Sequence, residues 1–165
     1  MGQQTAGPRL IIVCGLPGSG KTTLARQLEQ KLGAVRFCPD EWMQALSLNF
    51  YDEQRRARIE AMQWELAQML LRRGLVAIIE WGTWGRSERD ALRLGARKLG
   101  AAVELHYLKV SEDVLLERVQ RRGAEAPSIT REDLARWSEI FQAPTEEELA
   151  LFDAPLVEIG DSISE

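Results

Sequence analysis

The apolar run Leu10-Ile11-Ile12-Val13-Cys14 leads directly into Gly15-Leu16-Pro17-Gly18-Ser19-Gly20-Lys21-Thr22, and a helical pattern follows at once. A buried strand, a G-x-x-x-x-G-K-[ST] loop and a helix start in this order restrict the chain to an α/β architecture with an anion cradle at one sheet edge. Each residue type has a physical task. Glycines let backbone N–H groups curl around an anion, and Lys21 reaches the terminal phosphates. The Thr22 hydroxyl is placed as a Mg²⁺ ligand. Gly15, Leu16, Pro17, Gly18, Ser19, Gly20, Lys21, Thr22 and the small Thr23 are therefore the candidate nucleotide-binding residues.

A chain of 165 residues that is 45% hydrophobic suits one domain spanning 1–165, able to fold without disulfides or structural metal. Residues 1–8 read as a flexible lead. The net charge of −4 counts against broad coating of nucleic acid and favours small ligands. Cys14 and Cys38 are spaced neither as a metal pair nor as a disulfide framework, so they read as buried thiols in a reducing, cytoplasmic setting. No stretch has the length of a membrane span or the pattern of a signal peptide.

Short β-like runs alternate with helical stretches, the pattern of a parallel sheet covered on both faces. Strands are expected near 9–14, 34–38, 75–80, 102–109 and 155–159. A helix over Lys21–Leu32 carries a Leu24, Leu28, Leu32 core stripe and stops at Gly33. A long helix over 53–73 places Ile59, Met62, Leu66, Met69 and Leu70 on related faces. Its Arg55, Arg56 and Arg58 read as a solvated face or as substrate contacts. Ser87 with Asp90 suggests the cap of the next helix, 123–128 a mobile stretch, and Thr130 a helix start.

Two absences narrow the use made of the phosphate. No Asn-Lys-x-Asp guanine-reading motif is present, and the motor-like Val76-Ala77-Ile78-Ile79-Glu80 pattern lies in a chain too small for the usual added machinery. Asp40, after the second strand in Cys38-Pro39-Asp40-Glu41-Trp42, falls on the sheet edge that carries Lys21 and Thr22. It is placed to take the proton of an attacking hydroxyl or to hold Mg²⁺ through water, and also to cap the following helix. Glu41 reads as a first-turn acid. Glu80 ends the third strand, suited either to metal-bound water or the acceptor, or to a pair with Arg86 or Arg89.

Arg118 and Arg122 share a helix face at i and i+4 and either clamp phosphoryl oxygens or simply complement the helix C-terminus. Trp42, Trp81 and Trp84 border the acceptor side, where they stack on a substrate or pack the core and lid. His106 reads as a satisfied core residue.

These residues resemble the small kinase-like P-loop proteins, a group that includes zeta-type toxins, chloramphenicol phosphotransferase and the kinase domain of polynucleotide kinase. The carriers are Gly15 to Thr23, Cys38-Pro39-Asp40-Glu41, Glu80-Trp81-Gly82-Thr83-Trp84 with Arg86 and Arg89, Leu116-Glu117-Arg118 to Arg122, and Phe141 to Glu148. The resemblance implies a three-layer P-loop NTPase fold with a five-stranded parallel sheet, order 2-3-1-4-5, flanked by helices under a helical lid at about 123–150. It also implies ATP with Mg²⁺, and transfer of the γ-phosphoryl group to a hydroxyl of a small molecule. By that comparison Asp40 activates the acceptor, Arg118 and Arg122 act from the lid, and adenine lies near Gly160-Asp161-Ser162. Glu80 departs from the aspartate often found at its position. The expected catalytic set is thus Asp40, Lys21, Arg118 and Arg122, with Trp42, Glu80, Trp84, Arg86 and Arg89 at the acceptor. The alternatives are a nucleic-acid 5′-hydroxyl kinase and an ATP-binding regulatory module that transfers nothing.

Overall fold

The computed structural model describes residues 7–121 and 129–159. Strand β1 (Arg9–Cys14) carries the apolar run after Arg9, and Leu10 through Cys14 are all completely buried, as a central strand between two neighbours requires. It pairs in parallel with β3 (Val76–Gly82) on one side and β4 (Ala102–Tyr107) on the other, and β2 (Val35–Phe37) lies outside β3. The sheet order is β2-β3-β1-β4.

Alternation along the strands sorts two cores. Ile11, Val13 and Ile78 face helix α1 (Lys21–Leu32) through Leu24, Ala25 and Leu28. Leu10, Ile12, Ala77, Ile79 and Val103 face α3 (Glu53–Arg72) and α4 (Arg86–Lys98). The short α2 (Pro39–Ala45) packs on α3, and α5 (Glu112–Arg121) on α6 (Arg131–Ile140). The four-residue α7 (Glu146–Leu149) follows, with Thr145 at its N-cap.

Four expectations are corrected. The fifth strand at 155–159 does not form. The segment instead meets the outer edge of β4 mainly through side chains: Asp153 carboxylate accepts from Val103 N at 2.7 Å, and Glu104 carboxylate from Leu156 N at 2.8 Å. Pro155 has no N–H to offer a ladder. On α3 the buried stripe is Ile59, Gln63, Ala67 and Leu71, while Met62, Leu66 and Met69 are exposed. Gln63 replaces an apolar residue in that stripe because its Oε1 accepts from the Trp81 indole at 2.8 Å. Helix α2 is capped by Cys38 with Pro39 at its first position, so Asp40 sits in the first turn rather than at the cap. Helix α4 starts at Gly85, whose N–H donates to Glu88, and not at a Ser87 and Asp90 pair. The Thr130 cap forms as expected, with its hydroxyl accepting from Asp133 N at 3.1 Å.

Candidate active site

The phosphate loop joins β1 to α1 and turns on glycines. A Cβ at Gly15 would lie 2.6 Å from Ser19 Oγ and 3.1 Å from Leu108 O, and Gly18 adopts φ +81 with Val119 of α5 only 3.0 Å from where its Cβ would be. Both positions therefore exclude a side chain. Helix α1 begins at Gly20 without a side-chain cap, leaving the N–H groups of its first turn to the cradle. Lys21 Nζ donates to Leu16 O at 2.9 Å, folded back along the loop.

Across β3 the register with β1 runs Ile12 to Ile79 and then Cys14 to Gly82, so Glu80 and Trp81 together lie opposite Val13. Trp81 turns toward α3 and Glu80 toward α1. The Thr22 hydroxyl donates to Glu80 Oε1, and Arg36 Nη1 donates to Glu80 Oε2 at 2.9 Å. Arg36 also reaches Glu41 through Nη2 at 2.8 and 2.9 Å and Glu29 through Nε at 3.3 Å. Burial works against the Arg36 charge, but these carboxylates outweigh it and push its pKa up.

A hydroxyl and a carboxylate in contact at the start of α1 form a hard oxygen donor set of the kind Mg²⁺ takes alongside nucleotide phosphates and water. Among the described residues no group of three or more His, Cys, Asp or Glu could hold a metal by itself. The donors therefore fit an ion that arrives with the nucleotide, held by Thr22 and Glu80.

A cavity of about 720 Å³ extends from Lys21 and Thr22 to Asp40, Arg56 and Glu60, walled by Trp81, Trp84 and Trp137. Arg56 joins Asp40 to Glu60, with Nη1 2.5 Å from Asp40 Oδ1 and Nε 3.1 Å from Glu60 Oε1. Burial raises the Glu60 pKa, and Glu88 and Asp40 add to that rise against the opposing pull of Arg56. Arg118 Nη1 lies 3.4 Å from both Gly18 O and Ser19 O, over the outer side of the loop. Arg122 lies outside the described residues, as do the 123–128 stretch, the Gly160-Asp161-Ser162 segment and residues 1–6 of the lead.

The other acceptor-side candidates are placed differently from one another. Trp84 lines the cavity and meets Trp137 with ring centroids 6.0 Å apart. Trp42 packs against the core on the α3 face. Glu80 is paired with Arg36 and Thr22, not with Arg86 or Arg89.

Arg86 is held outward by Asp90 at 3.5 Å, with its backbone N–H on Gln142. Arg89 is completely buried and cannot touch an acceptor. It grips Glu148 at 2.6 and 2.9 Å and donates to the carbonyls of Thr83 at 2.8 Å and Gln142 at 2.8 Å. That anchorage holds Thr83 at φ +44, a conformation that a β-branched residue adopts only under constraint.

Arg36, Glu60 and Trp137 escape the sequence reading, and Arg56 enters it only as one of three arginines on a solvated face or in contact with substrate. The legible signal was Arg36 itself, a cation set between the apolar Val35 and Phe37 of a short strand. Cys14 and Cys38 are buried free thiols whose pKa values burial pushes up, which keeps them protonated and inert. His106 Nε2 lies 2.8 Å from Glu104 Oε2 within the sheet. No described helix is long and apolar enough to cross a membrane.

The sequence matches the family model described as an AAA domain over residues 10–144. The chain belongs to this AAA domain family. It is also 29% identical over 152 residues to the adenylate kinase isoenzyme 6 homolog of Schizosaccharomyces pombe, covering 89% of this chain and 78% of that protein. A gluconokinase from Sinorhizobium meliloti shares the fold with a TM-score of 0.60 at 22% identity, covering 85% of this chain and 78% of the other. A chain of the Pnkp1/Rnl/Hen1 RNA repair complex does so with a TM-score of 0.69 at 21% identity, where this chain covers 47% of the other and 89% of itself is matched. The AAA domain described here is thus a small kinase-like P-loop NTPase, with the α/β fold of that group.

Proposed function

We propose that the protein is an ATP-dependent phosphotransferase whose acceptor is a hydroxyl group of a small molecule. One observation carries the reading: Asp40 faces Lys21 and Thr22 across a single cavity, so a general base and a phosphate cradle share one chamber. The backbone of the loop and Lys21 bind the donor phosphates. Asp40 takes the proton of the acceptor hydroxyl as its oxygen bonds to the γ-phosphorus and the bond to the ADP oxygen breaks. Arg118, beside the loop, offsets the charge that spreads over the equatorial oxygens. Mg²⁺ held by Thr22 and Glu80 supplies further charge neutralisation when bound. The kinase relatives support transfer as such, and an adenylate kinase relative leaves open a phosphate as acceptor.

The test is incubation with ATP, Mg²⁺ and a library of sugars, nucleosides, amino alcohols and nucleoside monophosphates, read by mass spectrometry. A phosphorylated alcohol whose formation drops by about 100-fold or more in Asp40→Asn, with ATP binding retained, is the expected result. Undiminished transfer by that variant, or product formed only on phosphate acceptors, would overturn it.

A further inference from the structure

The acceptor half of the cavity has a charge that discriminates among hydroxyl compounds. Among the described residues its walls bring Asp40, Glu53, Glu60 and Glu88 together around Arg56, with Lys21 at the phosphate-loop end of the same lining and Glu80 balanced separately by Arg36. Arg56 is already engaged by Asp40 and Glu60. Glu53 and Glu88 therefore meet no cation among the described residues, Asp40 and Glu60 share one, and the partial burial of Glu60 keeps water from fully dispersing the excess negative charge. The lining between these carboxylates is aromatic. Trp84 and Trp137 form a tilted pair on one wall, and Phe50 and Tyr51 stand exposed on another.

A second, independent feature lies in the same wall. Thr83 is 4% exposed and its Oγ1 is buried with no hydrogen-bond partner among the described residues. A buried hydroxyl without a partner costs stability, and Thr83 is in addition held at a strained φ by Arg89 beneath it. A polar group of a bound molecule that reached this wall would supply the missing hydrogen bond.

Carboxylates interleaved with aromatic faces are the chemistry that binds an ammonium group, by charge-assisted hydrogen bonds and by cation–π attraction. The same field repels a phosphorylated compound. We infer that the acceptor is a cationic hydroxyl compound, an amino alcohol or amino sugar, whose ammonium group is held by Glu53, Glu60 and Glu88 between the aromatic walls and whose remaining polar atoms reach Thr83. This selectivity rests on the phosphotransferase reading, and it names the substrate class of that site.

Binding and transfer are measured separately. With the full chain loaded with a non-hydrolysable ATP analogue, quenching of tryptophan fluorescence is titrated with kanamycin, with glucosamine against glucose and glucose 6-phosphate, and with choline against its uncharged isostere 3,3-dimethylbutan-1-ol. At least one cationic compound is expected to bind about tenfold more tightly than its uncharged counterpart or, for kanamycin, than glucose, with the preference shrinking at high salt. In Glu53→Gln/Glu60→Gln that preference falls toward one, while undiminished binding of the ATP analogue reports an intact fold.

Equal or tighter binding of the uncharged or phosphorylated compounds overturns the inference, as does an unchanged preference in the double variant. The same panel with ATP reads transfer. Cation-selective binding without any phosphorylated product would sink the phosphotransferase reading and leave a cation-binding cavity. Product formed faster on the neutral or phosphorylated members would sink the selectivity and leave the transferase.

Discussion

Arg56 Nη1 stands 2.5 Å from Asp40 Oδ1, joining the first turn of α2 to the first turns of α3. The Asp40 side chain is more than half exposed, so little besides this contact fixes its rotamer. Burial disfavours the Arg56 charge, yet Asp40 and Glu60 more than compensate and raise its pKa, so the guanidinium remains a permanent partner. Arg56→Ala is expected to lower kcat by about tenfold to 100-fold with a small change in the KM for ATP, because a misplaced base slows the chemical step. Arg56→Lys is expected to recover part of that loss. Steady-state kinetics on the identified acceptor checks both, and a change confined to the KM for ATP would speak for a donor-side role instead.

Glu80 touches Thr22 and Arg36 at once. Glu80→Gln keeps the size of the side chain, removes the charge and leaves Arg36 facing a neutral amide. The Mg²⁺ concentration needed for half-maximal activity is expected to rise by about tenfold, with nucleotide binding in the absence of metal little altered. Magnesium titration of both proteins checks this, and an unchanged midpoint would remove Glu80 from the metal-holding set.

The strand, loop and helix of residues 9–32 were legible because period, glycine placement and helix stop all agree locally. Strands β2 to β4 were legible as short β-rich runs bounded by turn residues, although Arg36, Glu80, Glu104 and His106 interrupt their apolar pattern. Residues 155–159 have the composition of a strand, but the edge of β4 is occupied by the carboxylates of Asp153 and Glu104, a tertiary fact that no local pattern encodes. The face of α3 was misread by one residue because Gln63 is buried by a partner 18 positions away. Long-range pairing likewise hid the site. Arg36, Arg56 and Arg89 are equally charged in the sequence, and only the carboxylates they meet, Glu80, Asp40 and Glu148, tell their roles apart.

Arg89 and Glu148 are both almost fully buried and hydrogen-bonded in a bidentate fork. Removing one partner leaves an uncompensated charge in the interior. Glu148→Gln is therefore expected to destabilise the fold by about 3–5 kcal/mol, and Arg89→Met/Glu148→Leu by less than either single change. Because the same guanidinium holds the Thr83 and Gln142 carbonyls, the double variant should stay folded yet lose the constrained conformation of Thr83. Urea melts measure the first effect. The KM for the acceptor, expected to rise with the KM for ATP steady, measures the second.

Glu104 is a buried carboxylate at the opposite end of the logic. Burial acts to raise its pKa, but the contacts from His106, the Leu156 N–H and Arg9 outweigh burial and hold it below the ordinary glutamate value. A carboxyl with a folded pKa lower than its unfolded one binds protons more readily in the unfolded chain, so it stabilises the fold above the unfolded pKa and loses that contribution as pH falls through the folded one. Stability to urea is expected to decline as pH is lowered from about 5 toward 3. Glu104→Gln should be less stable at neutral pH and show a flatter acid limb, because the protonation that weakens the parent has no counterpart in the amide. Since Glu104 ties the 153–159 segment to β4, the same acid range should lower the hydrogen-exchange protection factor at Leu156 in the parent, and the variant should show low protection there at every pH. An acid limb of equal slope in both proteins would place the sensitivity in other carboxylates.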